Sequence, residues 1–206
     1  MKLAVFDFDS TLMDGETLEF LAKELGLAEK VKAITDRAMQ GEIDFFESLQ
    51  ERVVLLKGLS VDKVNEICQN LPMMNGADVV ISGLKKAGYT VVCFSGGFKN
   101  GTEPFARKVG LDADFSNVLH SKDGVLTGLV GGEMMFGTSK GEMLKRLQSV
   151  LRITSKDTLV VGDGANDLSM FKYADKRVAF CAKPVLKEHA NIIIDNKDLS
   201  EILNYI

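Results

Sequence analysis

The 206-residue chain has the length of one domain, or of one domain that carries a small insertion. Hydrophobic residues make up 46% of it and charged residues 26%, which is ordinary for a globular protein and excludes a disordered or fibrous chain. The formal net charge is -4 and no basic block is present, so a nucleic-acid partner is not expected.

The lengths of the apolar runs and the spacing of the cysteines indicate the cellular compartment of the protein. No run approaches the roughly 20 residues of a membrane span, and the first apolar run is shorter than the core of a signal peptide. Cys68, Cys93 and Cys181 lie far apart in the sequence, so neither a disulfide framework nor a CxxC metal site is indicated. We therefore expect a cytoplasmic protein with reduced cysteines and no membrane partner.

The chain opens with an apolar run, Leu3 to Phe6, that leads directly into Asp7 and Asp9. The run predicts a buried strand, and residues two apart on a strand lie on the same side. Two carboxylates are therefore expected at one end of the strand, where an unpaired buried charge would cost several kcal/mol. The alternative for Asp9 is that it caps a turn with the two residues that follow it.

From about residue 16 to residue 71, helical patterns follow one another without a convincing strand. The segment ETLEFLAKELG has leucines at helical spacing and ends at Gly26. The segment DFFESLQERVVLLKG is predicted to begin at Asp44 and to end at Gly58, and Arg52 interrupts its apolar face. An all-helical insertion is therefore expected after the first strand.

Short strand-like runs return after this insertion and alternate with helical patterns, which indicates βα units around a parallel sheet covered on both faces. These runs cover residues 89–94, 158–162, 177–180 and 191–194. Asp123 and Gly124 separate two alternating segments and predict a hairpin, expected as a small antiparallel addition to the sheet. The predicted fold class is therefore α/β, with a mostly parallel sheet.

Polar residues follow the predicted strands at the end where α/β proteins bind ligands. Asp163, Asn166 and Asp167 lie in the GDGAND segment, so up to four carboxylates can meet the sheet edge when the two acids of the first strand are included. Oxygen donors without His or Cys suit Mg²⁺. The alternative is that Asp163 lies in a turn and Asp167 caps the next helix, which is compatible with metal binding.

Two further segments suggest anion binding. The SGGF run at Ser95–Gly97 offers a hydroxyl and unobstructed backbone N–H groups, although Ser-Gly-Gly is also common in loops. Ser139 and Glu142 match a capping box, which places Lys140 in the first turn of a helix. A cation there opposes the helix dipole unless an anion lies between them; the alternative is a solvated surface lysine.

In this order, DFDST, SGG, a lone lysine before a helix and GDGAND resemble the four motifs of the haloacid dehalogenase superfamily of phosphotransferases. The segments GEIDFFESLQERVVLLKGL, GDGANDLSMF and AFCAKP are similar to those of members that hydrolyse O-phospho-L-serine. The resemblance covers nearly the whole chain. It implies a Rossmann-like catalytic core over residues 1–14 and 73–206, and a helical cap for substrate specificity over residues 15–72.

The resemblance implies Mg²⁺-dependent hydrolysis of O-phospho-L-serine, the last step of serine synthesis, through an aspartyl-phosphate. Asp7 would be the nucleophile and Asp9 the general acid and base. Asp7, the backbone carbonyl of Asp9 and Asp163 would hold Mg²⁺, and Asp167 would act as a further ligand or support the site.

The resemblance also implies a set of substrate-binding residues. Arg52 would bind the substrate carboxylate through its planar guanidinium and Glu16 the ammonium group; the alternative for Arg52 is a side chain that extends to solvent. The other implied contacts are Met39 and Phe45 from the cap, and Ser95, Gly96, Gly97, Lys140 and Asn166 around the phosphate.

Two alternatives to this function stay open at the level of the sequence. The first is a phosphatase or phosphotransferase that acts on another small phosphomonoester, such as phosphohomoserine. The second is a non-catalytic sensor of a phosphorylated metabolite on the same fold. The oligomeric state is also open, and either a monomer or a homodimer is expected.

Overall fold

The computed structural model describes residues 1–39 and 42–206, and within them the chain forms one mostly parallel sheet with helices on both faces. The strands are β1 (Lys2–Asp7), β2 (Tyr89–Phe98), β3 (Ala113–Lys122), β4 (Val125–Gly132), β5 (Thr158–Gly162), β6 (Lys176–Phe180) and β7 (Ile192–Ile194). Their order in the sheet is β4-β3-β2-β1-β5-β6-β7, and the β3–β4 pair is antiparallel. The predicted α/β class is therefore confirmed.

Helices occupy the connections between these strands. They are α1 (Thr17–Glu24), α2 (Ala28–Met39), α3 (Phe45–Val54), α4 (Val61–Gln69), α5 (Ala77–Lys86), α6 (Lys99–Val109), α7 (Ser139–Leu151), α8 (Leu168–Phe171) and α9 (Pro184–Lys187). The first four follow β1 without an intervening strand, as the helical patterns of this region predict. None of the helices in the described ranges is both long and apolar enough to cross a membrane.

The apolar run of β1 is buried on both sides because it lies in the middle of the sheet. Ala4 and Phe6 belong to the apolar cluster on one face, and Leu3 and Val5 belong to the cluster on the other face. This division follows from the alternation of side chains along a strand. The run therefore fixes β1 rigidly, and Asp7 is held at its carboxyl end.

The Asp123–Gly124 turn joins β3 to β4 with positive φ angles of 51° and 79°, so the predicted hairpin is confirmed. As expected, the hairpin adds an antiparallel strand, β4, at the edge of the sheet; β3, however, also pairs in parallel with β2 and so belongs to the main sheet. The sequence pattern missed the first half of β3, where a parallel pairing leaves no turn signal beside it.

The predicted start of α3 is also confirmed. Asp44 accepts a hydrogen bond from the backbone N–H of Glu47 (2.8 Å), and the Glu47 carboxylate accepts one from the backbone N–H of Asp44 (3.3 Å). This reciprocal capping satisfies two N–H groups that a helix start leaves unpaired.

The end of α3 comes earlier than the predicted Gly58, because the chain there pairs with the hairpin. The N–H of Gly58 donates to the carbonyl of Leu126 (2.9 Å), and the N–H of Leu126 donates to the carbonyl of Leu59 (2.8 Å). Val61 adds a bond to the carbonyl of Gly124 (2.9 Å). The helical insertion is therefore joined to the sheet by this backbone pairing as well as by its own chain ends.

Candidate active site

The carboxyl ends of β2, β1 and β5 lie side by side and bring the polar segments together. Asp7 ends β1, Ser95–Gly97 lies in the last part of β2, and Asp163 directly follows β5. The first turn of α7 adds Lys140 to this edge. Segments far apart in the sequence thus meet at the position where parallel sheets bind ligands.

Lys140 lies between two carboxylates and is only 3% exposed. Its Nζ atom is 2.7 Å from Asp7 Oδ1 and 2.7 Å from Asp167 Oδ1. The alternative of a solvated surface lysine is therefore wrong, and carboxylates of the protein supply the anion expected beside this helix start. These two acids raise the pKa of Lys140, although burial opposes them.

The capping box expected at Ser139 is wrong. The helix begins at Ser139 itself, and the residue before it makes no side-chain capping bond. The Ser139 hydroxyl instead accepts a hydrogen bond from the backbone N–H of Phe136 (3.1 Å), which belongs to the preceding segment.

Asp7 is buried, and its two carboxylate oxygens have different surroundings. Oδ1 accepts a hydrogen bond from the backbone N–H of Phe8 (2.7 Å) and pairs with Lys140, whereas Oδ2 lies 3.5 Å from the amide nitrogen of Asn166. Burial and the nearby Asp167 raise the pKa of Asp7 well above its usual value, although Lys140 opposes them. A further cation would favour the ionised form.

Asp163 and Asp167 complete an acidic cluster with Asp7, since oxygen atoms of the three carboxylates lie within 4.8 Å of one another. Asp167 Oδ2 accepts hydrogen bonds from the N–H groups of Asp163 (3.0 Å) and Gly164 (3.1 Å), so Asp167 does hold the turn. Burial and Asp167 raise the pKa of Asp163 to about 7.

The donor set fits a hard divalent cation. Three carboxylates share a small space with one buried ammonium group, and oxygen donors of this kind suit Mg²⁺. Both oxygens of Asp167 are already bonded within the protein. Asp7 and Asp163 are therefore better placed as direct donors, and Asp167 as the residue that orients Lys140 and the turn.

Asp9 has different partners from Asp7. Its Oδ1 atom accepts two hydrogen bonds from Thr17, one from the backbone N–H (2.8 Å) and one from the hydroxyl (2.5 Å). Burial raises the pKa of Asp9, and the bonds from Thr17 partly offset this effect. Asp9 therefore does not simply cap the turn that follows it, because its bonds go to the first residue of α1.

Sequence reasoning missed Thr17. The available signal was a hydroxyl residue at the start of a predicted helix, but that pattern indicates a helix cap rather than a partner for an acid eight residues earlier.

The two glycines after Ser95 lie where no side chain would fit. A Cβ atom on Gly96 would lie 2.7 Å from Cζ of Phe45, and one on Gly97 would lie 2.9 Å from Oδ2 of Asp9. The N–H of Gly97 donates to Ser95 Oγ (2.9 Å). The segment therefore keeps its backbone open towards Asp9, and the ring of Phe45 covers it from the helical insertion.

Glu16 and Arg52 approach the same space from the insertion. Glu16 accepts a hydrogen bond from the Ser10 hydroxyl (2.8 Å), and burial together with Asp9 raises the pKa of Glu16 to about 8. Burial lowers the pKa of Arg52, while Glu16 and Asp9 oppose this shift. Arg52 is half-buried near these acids, which favours an inward role. The side chain of Met39 lies outside the described residues.

A family model of haloacid dehalogenase-like hydrolases matches residues 1–175, and the chain belongs to this family. Among curated relatives, a phosphoserine phosphatase from Wolinella succinogenes is 61% identical over the full length of both chains. One from Methanocaldococcus jannaschii is 48% identical and covers 100% of this chain and 97% of its own.

Solved structures agree with these relatives. A structure described as a phospho-aspartyl intermediate analogue of phosphoserine phosphatase has a TM-score of 0.95 and 48% identity, with coverage of 100% of this chain and 98% of that chain. A substrate-bound phosphoserine phosphatase matches with the same TM-score, identity and coverage. The resemblance in the motifs is thus confirmed over the whole chain.

Proposed function

We propose that the protein is a Mg²⁺-dependent phosphatase that hydrolyses O-phospho-L-serine to L-serine and phosphate. The observation that carries this proposal is the pair Asp7 and Asp9, which lie two residues apart and have separate partners. Asp7 is paired with an ammonium group, whereas Asp9 accepts only from neutral donors among its described hydrogen bonds. Full-length similarity to phosphoserine phosphatases supports the substrate.

The two acids divide the chemistry. The Asp7 carboxylate attacks phosphorus, and a bond from Asp7 to phosphorus forms as the bond to the serine oxygen breaks. Protonated Asp9 gives its proton to that oxygen, so serine leaves as a neutral alcohol. Asp9 then takes a proton from the water that attacks the aspartyl-phosphate, and this step releases phosphate and restores Asp7. The raised pKa of Asp9 supports its role as a proton donor.

The phosphate would be held by the Ser95 hydroxyl, the backbone of Gly96 and Gly97, and Lys140, with Asn166 beside Asp7. Mg²⁺ on Asp7, the carbonyl of Asp9 and Asp163 would supply positive charge next to the transferring group. Lys140 is buried and already oriented by Asp167, so it can stabilise this charge without first being desolvated.

The helical insertion would select the rest of the substrate. Arg52 donates from Nε to the carbonyl of Ser48 (3.0 Å), which leaves its terminal nitrogens for a carboxylate. Glu16 would bind the ammonium group, and Phe45 and Met39 would cover the substrate. We accordingly propose a catalytic core of residues 1–14 and 73–206 and a specificity cap of residues 15–72.

The residues named in this proposal all belong to one chain, and the proposal is compatible with either a monomer or a homodimer.

Phosphate release tests the substrate. The purified protein with Mg²⁺ is assayed on O-phospho-L-serine, O-phospho-L-threonine and an aryl phosphate, and kcat/KM is compared. We expect the two phosphoamino acids to be favoured over the aryl phosphate, since Glu16 and Arg52 would bind the ammonium and carboxylate groups that the aryl phosphate lacks. Equal values on the three compounds would contradict selection of an amino acid, and no turnover on any of them would contradict phosphatase activity.

A further inference from the structure

Asn117, a residue of β3 outside the motifs discussed so far, joins two segments of the candidate site. It is 0% exposed, and each polar atom of its side chain is bonded. The amide nitrogen donates to the carbonyl of Gly96 (3.0 Å) and to that of Met134 (3.1 Å), and the amide oxygen accepts from the N–H of Met134 (3.0 Å). Such a fully satisfied buried amide holds its partners in one arrangement.

The bond to Gly96 replaces a missing backbone pairing. The parallel pairing of β2 with β3 reaches Phe94 and Phe115, and it resumes only where Phe98 lies opposite Asn117. Residues 95–97 lie in the irregular part of this register. The side chain of Asn117 therefore fixes a stretch of β2 that the ladder does not hold.

Because the peptide bond is planar, the hydrogen bond from Asn117 to the Gly96 carbonyl also orients the N–H group on the opposite side of that peptide. The carbonyl of Gly96 and the N–H of Gly97 belong to one planar trans peptide, so they point in opposite directions. When Asn117 fixes the carbonyl, it also fixes the direction of the Gly97 N–H, which donates to Ser95 Oγ (2.9 Å). Because Ser95 Oγ accepts this bond, its own O–H can donate to a bound anion.

The second attachment of Asn117 is to Met134, in the segment that leads to α7 and Lys140. Space for the amide depends on Gly132, which has a φ of +150°; a Cβ atom there would lie 2.6 Å from the amide oxygen of Asn117. One side chain thus ties together the Ser95–Gly97 segment and the segment that precedes Lys140.

We propose that Asn117 is a positioning residue for phosphate binding: it holds the Gly96–Gly97 peptide in the orientation that the phosphate requires. The proposal rests on the proposed phosphatase function, because it assigns the same segment to the phosphate. It adds a residue that does not itself touch the substrate.

Substitutions of Asn117 are compared with a matched change in the same strand. Asn117→Ser and Asn117→Thr remove the amide and add no charge. Ser116→Ala is the control, because Ser116 is buried and bonds to the Thr102 hydroxyl (2.8 Å) rather than to the Ser95–Gly97 segment. The measurements are the thermal midpoint, kcat and KM on phosphoserine, and the inhibition constant of inorganic phosphate with Mg²⁺ present.

We expect both Asn117 variants to raise the inhibition constant of phosphate at least about tenfold, which corresponds to 1.4 kcal/mol. The control is expected to lower the thermal midpoint but to leave this constant within about twofold of the wild-type value. A residue with a merely structural role would shift the thermal midpoint alone. Folded Asn117 variants that bind phosphate as the wild type does would overturn the proposal.

A measurement on the unmodified protein covers the case in which neither variant folds. Inorganic phosphate is titrated with Mg²⁺ present while the side-chain amide resonances are followed by NMR. We expect the Asn117 amide to shift with the dissociation constant that inhibition gives, and the Asn70 amide, which donates to the carbonyl of Glu66, to stay unchanged. An unshifted Asn117 amide would overturn the proposal.

The wild type separates this proposal from the proposed function. If it neither turns over phosphoserine nor binds phosphate, the phosphatase function is contradicted and the role of Asn117 with it. If the wild type does both and the Asn117 variants match it, only the role of Asn117 is contradicted.

Discussion

Asp7 and Asp9 are chemically identical side chains two residues apart, and their neighbours make them different. Asp7 shares an ammonium group with Asp167, whereas Asp9 accepts two hydrogen bonds from Thr17 at the start of α1. Burial raises the pKa of both carboxyls. Lys140 opposes this shift at Asp7, whereas the hydrogen bonds from Thr17 are the main opposing cause at Asp9. This difference allows one acid to attack while the other holds a proton.

Replacing the nucleophile tests this division. We expect Asp7→Asn to lower kcat on phosphoserine by at least about 10³-fold, because an amide cannot form the covalent intermediate. The metal-free protein should lose no stability, since burial of the ionised Asp7 is unfavourable. Stopped assays of phosphate release and thermal unfolding measure the two effects. Asp78→Asn, a substitution at an exposed position of α5, is the control and should leave activity unchanged. Activity retained by the Asp7→Asn variant would contradict the covalent mechanism.

Arg52 is predicted to recognise the substrate carboxylate through two parallel hydrogen bonds. Arg52→Lys keeps the charge but loses the planar fork, so we expect KM for phosphoserine to rise about 10- to 100-fold. KM for an aryl phosphate, which has no carboxylate at this place, should change less than about threefold. Arg37→Lys, on the exposed side of α2, is the matched control. A parallel rise in both KM values would contradict the assigned contact.

At the scale of elements, α3 links the helical insertion to both the sheet and the candidate site. It begins at a capping box, carries Phe45 and Arg52, and is followed by the backbone pairing with the hairpin. The same sequence pattern at Ser139 does not form a capping box, because its hydroxyl bonds to the preceding segment. A local pattern thus predicts a cap only where no tertiary partner competes for the side chain.

Removing the cap of α3 should affect both stability and substrate binding. We expect Asp44→Ala to lower the free energy of unfolding by about 1 kcal/mol and to raise KM for phosphoserine, because the first turn positions Phe45 against Gly96. Ser60→Ala removes the corresponding cap of α4, where Ser60 accepts from the N–H of Lys63 (3.1 Å). This control should cost similar stability without a change in KM. Equal KM effects in the two variants would contradict the role given to α3.

At the scale of the whole molecule, folding buries several carboxyl groups whose ionised form is not fully compensated by nearby cations. Burial raises the pKa of Glu16 to about 8 and that of Asp163 to about 7, and it raises the pKa of Asp7 as well. In the unfolded chain these groups ionise near pH 4. Between these values the folded state binds more protons than the unfolded state, so stability falls as the pH rises.

The metal-free protein should therefore lose thermal stability from about pH 5 to about pH 8. Mg²⁺ should raise the thermal midpoint more at pH 8 than at pH 5, because a cation binds the ionised carboxylates and competes with protons. Differential scanning calorimetry with a chelator or with Mg²⁺ measures both trends. A midpoint that rises with pH in the chelator would contradict the assigned shifts.

The sequence by itself determined the α/β class, the helical insertion, the hairpin turn and the polar segments at the strand ends. These features are local: alternation, helical spacing and turn residues act over a few neighbouring positions. The motifs are short contiguous segments of sequence, so the resemblance to the family could be recognised before any contact in the structure was known. The roles drawn from that resemblance for individual residues stay predictions that the experiments above address.

Only the tertiary structure decided which polar groups meet and how each is held. Lys140 lies between acids 133 and 27 residues away, Asp9 bonds to Thr17, and Asn117 ties Gly96 to Met134. None of these partners has a fixed spacing, since each contact depends on the strand order β3-β2-β1-β5 and on the place where the insertion returns to the hairpin. A sequence pattern can name the groups at a strand end, but it cannot give their neighbours across the sheet, because those neighbours are set by how distant segments pack.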